Sequence, residues 1–311
     1  MNSEKVPIII LLYNRPETTK EVCKAISIYQ PDKLYVVADG PKDVQDKIRC
    51  DQTRSIIDMI DWNCKIHKNY SEKNMGCGFG VSSGISWAFN SCERAIILVD
   101  DCIPDSSFFY YCEQLLEKYK DDTRIGMISG NNYGFPLYDS NISYSFSKHG
   151  HITGWATWKR CWEKFNYNLN IYDKNELELI RSNISANEHF VTKWWSGVEA
   201  VINGDLDAWS LQWGVARYAN NYLTIRPKEN LVAHIGYGEF ATHTKGKPNP
   251  KYTATGSLEF PLEHPRIIAP DKNADKKLEE DLFPVKQPRD TYLQRIIIRL
   301  KNMIPFLNKT F

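Results

Sequence analysis

The chain has 311 residues, a length that suits one large α/β domain or a domain and a half. Hydrophobic residues make up 42% of it, enough for a sizeable core, and a formal net charge of +1 gives no strong field toward nucleic acid, so none is expected as a partner. Aromatics reach 13%, a surplus that serves either a core or a site where flat rings pack on the apolar face of a sugar.

Val6 to Tyr13 is a continuous apolar run, which predicts a strand buried on both faces of a parallel sheet. Asn14-Arg15-Pro16 breaks it, and Glu17 to Tyr29 reads as a helix with Val22, Cys23, Ile26 and Ile28 on or near one face. Leu34 to Ala38 is a second strand, stopped by Asp39-Gly40-Pro41. Asp51 to Ile60 reads as helix and Cys64 to Asn69 as a third strand. The stretch Gly76-Cys77-Gly78-Phe79-Gly80 follows a polar segment rather than the first strand, so it is no dinucleotide fingerprint and reads as a turn, with a helix over Gly84 to Phe89. Ala95 to Val99 is the strongest strand and ends at Asp100-Asp101; Ser107 to Tyr119 is helical.

Strand and helix alternate four times, which predicts a doubly wound, mostly parallel α/β sheet with flanking helices. Ligands of such sheets bind beyond the carboxyl ends of the strands, which singles out Asn14, Arg15, Asp39, Asp100 and Asp101. After about Gly130 the pattern loosens. Gly150 to Phe165 is aromatic-rich and is expected to turn into a helix at Trp158; Glu188 to Asn203 and Ala208 to Asn220 read as helices, Tyr222 to Arg226 as a strand, and residues 236–256 as a loop or lid.

Eight cysteines (Cys23, Cys50, Cys64, Cys77, Cys92, Cys102, Cys112 and Cys161) form no CxxC pair, and the start of the chain carries no secretory pattern. Reduced thiols in a cytoplasmic protein are expected. From Thr291 onward, Tyr292, Leu293, Ile296, Ile297, Leu300, Met303, Ile304 and Leu307 recur at helical spacing, with Arg295, Arg299, Lys301 and Lys309 around them. Such a C-terminal amphipathic helix is too interrupted by charge to span a bilayer. It suits either peripheral contact with the inner face of a membrane or packing on the domain or on a homodimer partner.

Asp100-Asp101 reads as a helix cap or loop pair, or as a metal site. Two carboxylates beside a diphosphate repel it unless Mg²⁺ or Mn²⁺ intervenes. Asp39-Gly40 is also an ordinary turn signal, and Arg15 could simply pair with a surface carboxylate.

The ordered set becomes specific when taken together. Leu12-Tyr13-Asn14-Arg15-Pro16, Asp39-Gly40, Ile97 to Phe109, Gly154-Trp155-Ala156-Thr157-Trp158, and Asn230 to Gly238 with Ala241-Thr242-His243-Thr244 resemble GT-A glycosyltransferases. The likeness is to the N-acetylglucosaminyltransferase I family and bacterial family-2-like relatives, over roughly residues 6–245. It implies a GT-A-like fold and an inverting, metal-dependent hexosyltransferase. A UDP- or dTDP-type nucleotide sugar would be the donor and a glycan or lipid-linked molecule the acceptor, in surface polysaccharide synthesis. By the same resemblance Asp39 would accept a hydrogen bond from the uracil or thymine ring and Arg15 would lie by the base or phosphates; Asn14 and Gly40 are expected among the donor-binding residues. Asp100 would contact the ribose or donor sugar, and Asp101 the metal, with Asp100 beside it. Trp155 is the expected sugar platform, while Trp158 suits the core; Trp194-Trp195 and Trp209 are candidate acceptor walls. His234 and His243 follow the last strand, and His243, in its loop, is expected on the diphosphate.

Two departures stand out. Val99 occupies the place of the family's first acidic residue, and Ser210 that of its general base. A serine hydroxyl is no base near neutral pH without help, which shifts that role to Asp207, Glu199 or Asp205; Asp207 suits equally a cap of the helix after Ala208. Residues 1–130 are then the nucleotide-sugar half, 131–260 the acceptor-binding and catalytic half, and 261–311 a C-terminal extension. Two alternatives stay open: a non-catalytic, degenerate nucleotide-sugar binder, and a sugar-phosphate nucleotidyltransferase, although Asn14-Arg15-Pro16-Glu17 is not the glycine-rich phosphate loop the latter would use.

Overall fold

The computed structural model describes residues 4–132, 134–237 and 250–285. β1 (Ile8–Leu12) is buried at every position, as a strand covered on both faces must be. α1 (Pro16–Tyr29) opens on a proline, whose missing N–H costs nothing at the first helical position. It buries Val22, Cys23 and Ile26. Ile28 instead stands 65% exposed, because two residues beyond Ile26 is the opposite side of a 3.6-residue turn.

β2 (Lys33–Ala38) follows, then α2 (Val44–Ile57), which begins earlier than the apolar pattern suggested. Asp43 caps it, accepting from the Asp46 N–H at 2.8 Å, and the first turn is polar because it faces solvent. β3 (Lys65–Tyr70) is a half-exposed edge strand. α3 (Cys77–Phe89) takes in glycines that the sequence assigned to a turn. Gly76, at φ 80°, is its N-cap, and Gly78 and Gly80 lie within its first turns. β4 (Arg94–Val99), β5 (Cys102–Pro104) and α4 (Ser106–Lys118) complete the first part.

The second part holds β6 (Ile125–Ser129), β7 (Tyr144–Ser147), β8 (Trp155–Trp158), α5 (Lys159–Trp162) and α6 (Lys174–Ser182). There follow α7 (Glu188–Ile202), α8 (Ser210–Ala219), β9 (Leu223–Pro227), β10 (Val232–His234), α9 (Pro250–Thr253) and α10 (Lys272–Leu282). The aromatic stretch turns into helix α5 with Trp158 as its N-cap, as expected, and the residues just before it, Trp155–Trp158, form β8.

Eight strands form one mixed sheet in the order β3-β2-β1-β4-β8-β6-β9-β7, and β10 pairs with β5 in a separate ribbon. β3, β2, β1 and β4 run parallel, as do β6 and β9. β8 is inserted antiparallel between β4 and β6, and β7 closes the edge antiparallel to β9. The fold is thus α/β with a mostly parallel sheet flanked by helices.

The main core lies on this sheet and includes a tryptophan stack, with Trp155 5.9 Å from Trp209 and 5.7 Å from Trp213. A second core joins α6, α7 and α8 through Ile180, Phe190, Val191, Val198 and Val215. All eight cysteines are free thiols. Among the described residues no helix is long and apolar enough to cross a membrane. The amphipathic stretch after Thr291 lies outside them, as do residues 238–249 of the expected loop.

Candidate active site

The strand order reverses at β1, which has β2 on one side and β4 on the other. Ligands of open α/β sheets bind at such a point. β1 also fixes the acids there. Its Leu12 carbonyl accepts from the Asp39 N–H and its Leu11 carbonyl from the Asp100 N–H, each at 3.0 Å. Asp39 and Asp100 thus hang from one strand end, as their placement after apolar runs predicted.

Asp100 and Asp101 are 3% and 6% exposed, too buried for an ordinary loop pair. Asp100 Oδ2 accepts from the Tyr13 N–H at 3.1 Å. Asp101 is flanked by the β5–β10 ribbon. Its carbonyl accepts from the Ile235 N–H at 2.9 Å, and His234 Nε2 lies 3.5 Å from its Oδ2. Gly236 is required here, since a Cβ would stand 2.1 Å from Asp101 Oδ2.

Arg15, at the N-cap of α1, donates from Nη1 to Asp101 Oδ2 and lies 3.4 Å from Asp100 Oδ1. Its guanidinium thus reaches these two buried acids. Burial and then the Asp101 charge push the Asp100 carboxyl up to about 7, despite Arg15. Burial also opposes ionisation of Asp101, but the His234 hydrogen bond and the Arg15 charge outweigh it and hold that carboxyl below its ordinary value. Two adjacent buried carboxylates raise the cost of each other's charge, which is the electrostatic demand a divalent cation would meet.

Among the described residues no group of three or more acidic, histidine or cysteine side chains is arranged to hold a metal ion. The two carboxylates fit a cation only as a partial set of oxygens, so substrate oxygens would have to supply the rest of the shell, as Mg²⁺ and Mn²⁺ sites commonly allow.

Asp39 is held by the loop before α3. Its Oδ1 accepts from the Gly40 and Met75 N–H groups at 2.8 Å each, and its Oδ2 from Asn74 Nδ2 at 3.0 Å. Burial pushes the carboxyl up, only partly offset by these backbone donors. Gly40 is needed for packing, because a Cβ would stand 2.4 Å from the Lys73 backbone. Asn14 gives its amide to Asp46 Oδ1 at 2.5 Å, beside the Tyr13 hydroxyl on Asp46 Oδ2 at 2.5 Å. In this arrangement Asn14 braces α2, a role the sequence did not suggest.

Two expectations are corrected. Trp155 is fully buried inside the tryptophan stack, so it is a core residue and presents no face to a sugar. Strand alternation and the antiparallel insertion of β8 turn it inward. Trp195 and Trp209, offered as acceptor walls, are 6% and 4% exposed and likewise belong to the core; Trp194 is partly exposed.

The second correction concerns Asp207. It does not cap α8, whose N-cap is Trp209. Its Oδ1 accepts from the Gly78 N–H at 2.9 Å and thereby caps α3 from the other half of the chain. Gly76 and Gly78 are glycines because a Cβ at either would stand 2.4 Å or 2.3 Å from that carboxylate. The Cys77 thiol between them is raised by burial and then by the charges of Asp207, Asp39 and, more weakly, Asp101. Glu199 and Asp205 are exposed on α7 and the turn leaving it, and Ser210 begins α8.

His234, Asn74, Asp46 and Gly236 enter the site by contacts that a linear reading does not show. His243 lies outside the described residues. A surface cavity of about 680 Å³ lined by Arg94, Tyr110, Glu117 and His264 sits by Arg94, at the opposite end of β4 from Asp100, and is unrelated to this chemistry.

No family model and no curated protein matches the chain. Among solved structures it resembles HddC from Yersinia pseudotuberculosis, at 12% identity and TM-score 0.33, over 51% of this chain and 80% of that one. It also resembles a 4-diphosphocytidyl-2C-methyl-D-erythritol synthase from Anaerococcus prevotii, at 11% and 0.32, over 55% and 77%. A UDP-glucose pyrophosphorylase complexed with UDP-glucose aligns at 7% and 0.36, over 72% and 91%. At these values the likeness assigns no activity.

Proposed function

We propose that this chain is a metal-dependent, inverting glycosyltransferase that moves a sugar from a UDP- or dTDP-type donor to a glycan or lipid-linked acceptor in surface polysaccharide synthesis. One observation carries the reading: a buried carboxylate pair, Asp100 and Asp101, stands with Asp39 at the end of β1 where the strand order reverses. A nucleotide's base and diphosphate fit that division, with a hydrogen-bond acceptor at Asp39 and a cation-demanding pair beside it.

Asp39 would accept from the pyrimidine ring through Oδ2, which carries the Asn74 amide while Oδ1 holds two backbone donors. Asp101, with Asp100 beside it, would hold Mn²⁺ or Mg²⁺ together with donor oxygens. When bound, that ion supplies neutralisation of the charge growing on the departing diphosphate. Asp207 is the favoured base of the three acids. Gly78 fixes its Oδ1, which leaves Oδ2 to take the acceptor hydroxyl's proton as that oxygen attacks the anomeric carbon. The basic, apolar tail would bring the chain to the inner face of a membrane and so to lipid-linked acceptors.

Calorimetry with UDP, with and without Mn²⁺, tests the site. UDP binding should require Mn²⁺, and Asp101→Ala should lose it while circular dichroism stays native. Unchanged affinity in that variant would remove the site from consideration. Product analysis then tests the class. A transferase releases nucleoside diphosphate from a nucleotide sugar. Binding without turnover would make the chain a non-catalytic binder, and release of pyrophosphate from a nucleoside triphosphate and a sugar phosphate would make it a nucleotidyltransferase.

A further inference from the structure

We infer that Arg15 is a resident counter-ion of the carboxylate pair, which yields Asp101 to an incoming divalent cation and turns to the donor's diphosphate, so that cation and nucleotide bind cooperatively. The inference rests on the nucleotide-sugar reading above and concerns how that site is loaded.

Three features support it. First, one nitrogen of Arg15 serves both acids, and Asp101 Oδ2, the oxygen it takes, is also the one His234 faces. A cation held by Asp101 Oδ2 therefore competes with the guanidinium for the same oxygen. Second, the carboxylates are fixed. Asp100 is tied to the Tyr13 N–H, the Asp101 carbonyl to the Ile235 N–H, and the Cys102 thiol lies 3.4 Å from Asp101 Oδ1. The clash a Cβ at position 236 would make shows how little room Asp101 has to retreat. Third, the Arg15 backbone is anchored while its side chain is long. The Arg15 carbonyl accepts from the Thr19 N–H at 3.0 Å and lies 3.4 Å from the Thr18 hydroxyl. Exchange of partners then needs only side-chain rotation, and a guanidinium suits a diphosphate as well as a carboxylate.

The energetics follow. Buried like charges need a counter-charge, so Arg15 stabilises the empty pair. A cation arriving alone must displace it and leave the guanidinium without that partner. A diphosphate arriving with the cation offers it a new one. Each ligand thus lowers the cost of the other, and by linkage the coupling is the same from either side.

The test is titration of the full chain with Mn²⁺ alone, with UDP at saturating Mn²⁺, and with Mn²⁺ at saturating UDP, in the wild type and in Arg15→Gln, with circular dichroism to confirm the fold. In Arg15→Gln, Mn²⁺ alone should bind about tenfold more tightly, and UDP at saturating Mn²⁺ about tenfold more weakly. The gain in Mn²⁺ affinity caused by UDP should shrink accordingly. Arg15→Lys keeps a cation and should stay closer to the wild type for Mn²⁺ alone. If Arg15→Gln binds Mn²⁺ alone no more tightly than the wild type does, while wild-type UDP binding still requires Mn²⁺, the counter-ion inference is overturned and the nucleotide-sugar reading stands. A wild type that binds neither ligand overturns both.

Discussion

At the scale of single residues, Asp207 joins two roles that substitution can separate. Asn at 207 still offers an oxygen to the Gly78 N–H, whereas Ala removes it. Asp207→Asn should keep the wild-type melting temperature and UDP affinity and lose roughly a hundredfold to ten-thousandfold in transfer rate. Asp207→Ala should in addition lose about 1 kcal/mol of stability, the worth of a helix cap. Full activity in the Asn variant would eliminate Asp207 as the base; enhanced turnover in Ser210→Asp would point to a site worn at Ser210. Gly236 makes a second prediction. An alanine there drives a methyl against Asp101 Oδ2, so Gly236→Ala should lose Mn²⁺-dependent UDP binding with the fold intact. Unchanged affinity would mean that the ribbon yields and Asp101 is not confined.

At the scale of elements, α10 is held by buried polar groups rather than by an apolar stripe alone. Asp275 accepts from the Ser147 hydroxyl at 2.5 Å and the Lys148 N–H at 3.0 Å, and Glu279 Oε1 lies 2.8 Å from His149 Nε2. The two acids are one turn apart on the helix, so both face the sheet edge together. Burial opposes ionisation of Glu279, but the His149 bond and those from Ser185 and Asn187 outweigh it and hold its carboxyl below the ordinary 4.5. A depressed carboxyl stabilises the fold above its unfolded value and loses that contribution as pH falls through the folded one. Glu279→Gln should therefore lower stability at pH 7, and the gap to the wild type should narrow toward pH 3. Urea unfolding at both pH values reads this, and a constant gap would exclude Glu279 as the titrating group. Glu279→Ala, which takes the partner from His149 Nε2 and leaves it only Tyr218 on Nδ1, should cost about 1–3 kcal/mol.

For the whole molecule, the stretch from Tyr292 to Lys309 predicts where the chain works. Its basic residues should each add about 1 kcal/mol of attraction near an anionic surface, and its apolar stripe adds burial. The full chain should sediment with anionic liposomes, less so in high salt, and truncation after Gln287 should abolish the effect. Equal sedimentation of the truncated chain would refute the membrane reading, and a full chain that ignores the vesicles would favour packing on protein.

The sequence by itself determined β1, β2 and β4, because strands buried on both faces must be continuous apolar runs, and each of these runs ends at a polar residue. Asp39, Asp100 and Asp101 were legible for that reason: in a doubly wound sheet, the residue after such a run lies at the binding edge. Helix starts were less legible, since α2 opens on a polar, capped turn and α3 on glycines. What only the tertiary structure decided are the pairings of residues far apart in sequence. β8 is a short aromatic strand that gains its identity from lying between β4 and β6, and that placement turns Trp155 into the core. Asp207 reaches Gly78 across 129 residues, Arg15 reaches the acids across 85 and 86, and His234 arrives through the β5–β10 ribbon. No local pattern encodes such contacts, because they form only when the packed sheet brings separate strand ends and helix starts to one place, where the burial of charge forces each to find its partner.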